Sequence, residues 1–241
     1  MSSAASSSSR ARHRDVRRMT PSHALDYNGF CNAVSLYRFD AVPIHAARRQ
    51  RTSRAMVNIL GLSGSLRAAS INSMLLRATA RLAPAQVTVE IFNGLGDLPL
   101  FNPDLEANQP AQVASLHRAV VRADALLIAS PEYAHGVTGT IKNALDWLVG
   151  FEPFIAKSVA VLNASPRAHH ADDALRETLR TMSAVIVESA SVSVPLLGAG
   201  LDESALLSTP SLVAALRESL RAIQVAVLSR RHSAPGAFSI Q

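Results

Sequence analysis

From residue 56 onward the chain alternates between two kinds of apolar pattern, and that alternation restricts the fold more than any other feature. Val57–Gly61 is a short strand-like run, Ala125–Ala129 is continuously apolar, as strands buried on both faces are, and Ser158–Leu162 reads as another buried strand. Gln86–Phe92 alternates and is β-branched, so it too reads as a strand. Between these lie segments with apolar residues at helical spacing: 71–83, 111–122, 139–150 and 171–182. A β-rich stretch at 185–194 and a last helical segment at 211–228 complete the series. Strands joined by helical crossovers build a parallel sheet with helices on both faces.

Five strands in under 180 residues imply an α/β, three-layer, doubly wound, flavodoxin-like sheet of order 2-1-3-4-5. No internal repeat is evident. In such sheets ligands lie at the carboxyl ends of the strands, near the point where strand order reverses. That points to the loops at 62–72, 130–139 and 163–170.

Charge separates the chain into parts. The net charge is +6 over 241 residues. Residues 1–55 carry ten arginines and three acids, +7, which leaves −1 for the rest. The folded part is therefore near neutral, and nucleic-acid binding by it is not expected. Residues 1–55 read as a basic, Ser/Arg-rich extension, expected to be disordered. An organellar transit segment and translated upstream sequence are the alternatives, since Met56 is a natural opening for the domain. The domain is expected over 56–229, with a tail at 230–241. No apolar run approaches the ~20 residues of a membrane span. The only cysteine, Cys31, precedes the domain. Redox chemistry there would need a bound cofactor.

The 62–72 loop, LSGSLRAASIN, lacks the G-x-G-x-x-G of a dinucleotide fold. Instead Ser63, Ser65, Ser70 and Asn72 supply side-chain donors and Arg67 a cation. With the N–H groups and dipole of the following helix, that set suits a terminal phosphate, which accepts many hydrogen bonds at once. FMN carries one such phosphate. A helix cap would explain Ser70 or Asn72 but not the remainder. The second loop, SPEYAHGVTGTIKNALDW, offers Tyr133 as an aromatic face, although a lone loop tyrosine reads first as an ordinary half-buried aromatic. Trp147 is expected in the core or at a subunit contact. Lys142 opposes the helix dipole and hints at a partner. His135 is a loop histidine, solvated or a proton donor. His169, His170, Asp172 and Asp173 lack the spacing of a metal site; one of the two aspartates is expected to cap the 171–182 helix. No G-x-S-x-G elbow or P-loop lysine occurs, so serine hydrolysis and nucleotide hydrolysis are disfavoured.

GSLRAASIN followed about sixty residues later by SPEYAHGVTGTIKNALDW resembles the NADPH-dependent FMN reductase family, over roughly residues 56–228. The family includes quinone, chromate and azo-dye reductases. The resemblance implies a flavodoxin-like fold, non-covalent FMN, NADPH or NADH as co-substrate, and a homodimer or homotetramer in the cytoplasm. It implies a small-molecule acceptor such as a quinone, azo dye, metal oxyanion or free flavin. By the same resemblance Ser65, Arg67, Ser70 and Asn72 hold the FMN phosphate, and Pro131, Glu132 and Tyr133 line the isoalloxazine, followed by Ala134; in the third loop, which departs from the family, Ser165 and Arg167 still offer donors to the cofactor, and His169 and His170 are within reach of the ring. No catalytic side chain is required, because the flavin performs the chemistry. Two departures stand out: Ala134 replaces the family's usual Asn, and NASPRAHHADD replaces a glycine-rich third loop. They motivate the alternative of a flavodoxin-like binding module or electron carrier with weakened or lost FMN binding.

Overall fold

The computed structural model describes residues 56–165, 167–196 and 202–233. The extension at 1–55 and residues 234–241 of the tail lie outside the described residues. The main sheet is built from β1 (Val57–Ser63), β2 (Val87–Ile91), β3 (Ala125–Ala129), β6 (Ser158–Asn163), β7 (Val185–Ile186) and β8 (Val192–Ser193). A separate hairpin pairs β4 (Glu132–Tyr133) with β5 (Gly136–Val137). The helices are α1 (Ile71–Arg81), α2 (Ala111–Arg122), α3 (Gly139–Asp146), α4 (His169–Thr181), α5 (Glu203–Leu207) and α6 (Pro210–Ser233).

The main sheet is parallel throughout, in the order β2-β1-β3-β6-β7, with β8 also on β6. Strand alternation divides the core into two layers. Val57, Ile59, Leu127 and Leu162 face α1, α5 and α6. Leu60, Leu62, Ile128 and Val161 face α2, α3 and α4. The three-layer flavodoxin-like expectation holds.

The fifth strand departs from expectation. Residues 185–194 form two short strands separated by a tight turn at Glu188–Ala190. Where the ladder breaks, the Ser191 hydroxyl accepts the Val161 N–H at 3.1 Å. A side chain thus replaces the missing strand carbonyl, and the buried donor stays paired. Two ends are likewise closed by side chains. Lys157 Nζ donates to Val120 O and Ala123 O at the end of α2, and burial lowers its pKa against the pull of Asp124. His117 Nε2 bonds Trp147 O at 2.8 Å, and burial lowers the pKa of that imidazole too. The last helix runs to Ser233, beyond the expected 228. Its Arg231 bonds Met56 O and pairs with Asp124, tying α6 to the start of β1.

Candidate functional site

Register places three loops side by side. Ser63 pairs with Ala129, and Ala129 with Leu162, so the chain leaves β1, β3 and β6 at one level. The first two loops touch through their backbones. Gly64 N–H donates to Ala129 O at 2.8 Å. A Cβ on Gly64 would lie 2.1 Å from Ser130 Oγ and 2.8 Å from Ile141 Cγ1. Only glycine permits that approach.

Each donor of the first loop has a defined place. Ser70 caps α1, accepting the Ser73 N–H at 3.3 Å. Ser63 Oγ lies 2.8 Å from Ser73 Oγ, a partner the sequence reading missed. Ser65 N–H bonds Ser63 Oγ, and Arg67 N–H bonds Ser65 Oγ. These bonds curl the loop ahead of the helix. The first turn of α1 has no acidic residue, so its positive end is uncompensated by its own sequence. Among the described residues Arg67 makes no ion pair and is exposed. Asn72 is buried, and its amide oxygen has no hydrogen-bond partner. The other half of that amide is a donor, the polarity a phosphate requires. One hydroxyl is thus a cap, as a simple helix start would have it. Ser63 is held by Ser73 and the loop backbone, which leaves the Arg67 guanidinium, the Ser65 hydroxyl proton and the Asn72 amide N–H groups as the donors that fit the FMN phosphate.

The second loop is the β4–β5 hairpin, preceded by Pro131. Tyr133 is 61% exposed. The Glu132 carboxylate turns away to α4, where it accepts the Ala171 N–H at 2.9 Å. This corrects the expectation for Asp172 and Asp173: neither caps α4, which begins at His169 with no side-chain bond at its cap residue. Asp172 instead pairs with Arg176 at 2.6 Å. A cap acceptor 39 residues upstream leaves no local signature. Thr138 caps α3 through the Ile141 N–H. The Lys142 charge that opposed the dipole is answered by Asp146. Trp147 is in the core, its Nε1–H on Pro99 O at 2.8 Å.

The hairpin turns on Ala134 and His135 at φ 49° and 59°. Both central residues with positive φ make a type I′ turn, where Asn-Gly is favoured. The left-handed region costs an alanine roughly 1 kcal/mol. Ala134→Asn is therefore expected to raise the melting temperature by about 3 °C, and Ala134→Gly by a similar amount. Calorimetry measures it; no rise in either variant would remove the strain argument.

The third loop follows β6. Asn163 Oδ1 accepts the Ser165 N–H at 2.9 Å, and its Nδ2 donates to Ala168 O. Ser165 Oγ accepts the Arg167 N–H at 3.3 Å. The structure therefore puts Ser63, Ser65, Arg67, Ser70 and Asn72 on one loop, Pro131–Ala134 on the next, and Ser165 and Arg167 on a third. His135 stacks on His170 with ring centroids 4.4 Å apart, and His169 lies 4.0 Å from His170. This imidazole row, formed across 34 residues of sequence, was not foreseen.

The comparisons agree with the fold. The family model described as NADPH-dependent FMN reductase matches residues 57–197. An NAD(P)H-dependent FMN reductase of Pseudomonas aeruginosa is 38% identical over 112 residues, 45% of this chain and 60% of that protein. A quinone reductase of Escherichia coli is 34% identical over 113 residues, with the same coverage of each. The chain thus spans about 60% of the length of these relatives. The solved structure of FerB, a flavoenzyme NAD(P)H:(acceptor) oxidoreductase from Paracoccus denitrificans, superposes with a TM-score of 0.58 at 25% identity. That match covers 70% of this chain and 98% of FerB. With the sheet order, the paired loops and a family match across more than half its length all in accord, the chain belongs to the NADPH-dependent FMN reductase family.

Proposed function

We propose that the protein is an NAD(P)H-dependent oxidoreductase that holds FMN and reduces a small acceptor of the quinone, azo-dye, metal-oxyanion or free-flavin type. The observation that carries the reading is the Gly64–Ser130 contact, which seats a phosphate-type loop directly against the Tyr133 hairpin. Ser65, Arg67 and Asn72 bind the FMN phosphate, on the loop that Ser63 and Ser70 hold in shape. Arg67 neutralises charge, and Asn72 donates from a buried position. Peptide groups of Pro131, Glu132 and Ala134 meet the polar rim of the isoalloxazine, since the Glu132 carboxylate is engaged at α4. Tyr133 offers its ring as a wall. Ser165 and Arg167 bound the crevice on its far side.

FMN, when bound, supplies the hydride-accepting and two-electron-donating chemistry. This chain's residues bind, orient and cover it, and none acts as a catalytic acid. A homodimer or homotetramer in the cytoplasm accompanies the reading. The exposed Leu100 and Val149, at 82% and 60%, are apolar surface available to a second subunit. No helix of the described residues is long and apolar enough to cross a membrane.

The test is the visible spectrum of the purified full chain with and without added FMN, followed by NADPH oxidation with a quinone present. A bound-flavin spectrum with quinone-dependent turnover is expected. Colourless protein that takes up no FMN would favour the binding-module alternative.

A further inference from the structure

The third loop matches the first at three of six positions, Leu162, Ser165 and Arg167 against Leu62, Ser65 and Arg67. Residues 62–67 read Leu-Ser-Gly-Ser-Leu-Arg, and residues 162–167 read Leu-Asn-Ala-Ser-Pro-Arg. The bonding repeats with the residues. Ser65 N–H bonds the side chain of Ser63 at 3.3 Å, and Ser165 N–H bonds that of Asn163 at 2.9 Å. Two residues on, Arg67 N–H meets Ser65 Oγ at 3.4 Å, and Arg167 N–H meets Ser165 Oγ at 3.3 Å. Each loop thereby presents an exposed arginine that makes no ion pair among the described residues.

FMN has one phosphate, and the first loop accounts for it. An arginine presented the same way two strands over is surplus to the flavin. β3 lies between β1 and β6, so the two loops leave the sheet about 10 Å apart at ordinary strand spacing. The Tyr133 hairpin rises between them. An anion on the third loop therefore sits across the hairpin from the flavin phosphate. The nicotinamide dinucleotide is the reactant that carries further phosphates.

The surroundings favour an anion. His135, His169 and His170 are exposed and lie ring against ring beside this loop, each with a ring N–H donor. Of the nearby carboxylates, Glu132 accepts the Ala171 N–H and Asp172 pairs with Arg176 through Oδ2, while Asp172 Oδ1 is buried without a hydrogen-bond partner. Asp173, one residue further along α4, is the exposed acid that remains.

We propose that Arg167, with His169 and His170 beside it, binds a phosphate group of the nicotinamide dinucleotide. The proposal rests on the flavoenzyme reading given above. The experiment compares wild type, Arg167→Gln, and the double variant His169→Gln/His170→Gln, all as full chains. Calorimetry follows binding of ADP-ribose and of 2′-phospho-ADP-ribose, which carry the phosphates without the nicotinamide. FMN affinity is measured separately by flavin fluorescence, and KM for NADH and NADPH at saturating quinone.

Arg167→Gln is expected to weaken fragment binding and raise the coenzyme KM about tenfold, as loss of a charge-assisted bond does. FMN affinity should fall by a clearly smaller factor than fragment binding does, since Arg167 only borders the flavin crevice. The histidine variant should shift the same quantities by a smaller factor. A loss confined to the 2′-phosphorylated fragment and NADPH identifies the monoester; an equal loss for both fragments identifies the pyrophosphate. Unchanged fragment binding in a protein that holds FMN overturns the proposal. So does a fall in FMN affinity that matches the fall in fragment binding, which would return Arg167 to the flavin. Failure of wild type to take up FMN is a different result, and it overturns the flavoenzyme reading itself.

Discussion

Gly64→Ala is expected to lower the melting temperature by about 10 °C, corresponding to about 3 kcal/mol of overpacking. A Cβ there would stand 2.1 Å from Ser130 Oγ, 2.6 Å from Ser130 Cβ and 2.8 Å from Ile141 Cγ1. The hydroxyl can rotate away. The other two carbons cannot move without shifting the chain after β3 or the fully buried Ile141 on α3. Backbone pairing prevents the loops from parting, because β1 is hydrogen-bonded to β3 up to Ser63 and Gly64 N–H bonds Ala129 O. The displaced loops are the two that would hold the flavin at either end, so FMN uptake should fall with stability. Ser130→Gly in the same chain removes two of the three clashes and should restore part of the loss, a coupling expected only of residues in contact. Thermal melts of the single and double variants measure it. A Gly64→Ala protein that melts with wild type would mean that the loops do not meet.

Arg67→Ala is expected to weaken FMN binding about 30-fold, or about 2 kcal/mol, the scale of a hydrogen bond to a charged group. The side chain is exposed and pairs with no acid among the described residues, so the fold should lose almost nothing. Riboflavin supplies the internal control, since it has the ring and lacks the phosphate. Its affinity should be the same in both proteins. Flavin fluorescence titrations read both constants. Equal FMN affinity for variant and wild type would take Arg67 out of the site; an equal loss for riboflavin would mean that the substitution acts through the loop's shape.

The sheet was legible in the sequence because its central strands are buried on both faces. ALLIA and SVAVL admit few other readings, and the crossover helices between them fix a parallel order. Position 185–194 misled because β-branched residues report extended backbone without reporting whether it stays in register. The break is rescued by one hydroxyl, Ser191, whose role depends on β6. The hairpin at 132–137 went unseen because its turn uses Ala-His rather than Asn-Gly. On the candidate site, the grouping of residues 63–72 on one loop was readable because they lie within ten positions of one another. Glu132 at the start of α4 and the stacking of His135 on His170 arise only when distant loops meet.

The place of α6 bears on how the chain comes off the ribosome. The face of the sheet carrying Val57, Ile59, Leu127 and Leu162 is sealed by Leu216, Leu220, Ile223 and Val227 of that helix, the last described element. Translation at about 5–20 residues per second delivers α6 on the order of 10 s after β3. During that interval β1, β2 and β3 can already pair, while α1 alone shields their inner side. Arg231, reaching back to Met56 and Asp124, then clasps the newest part of the domain to its oldest.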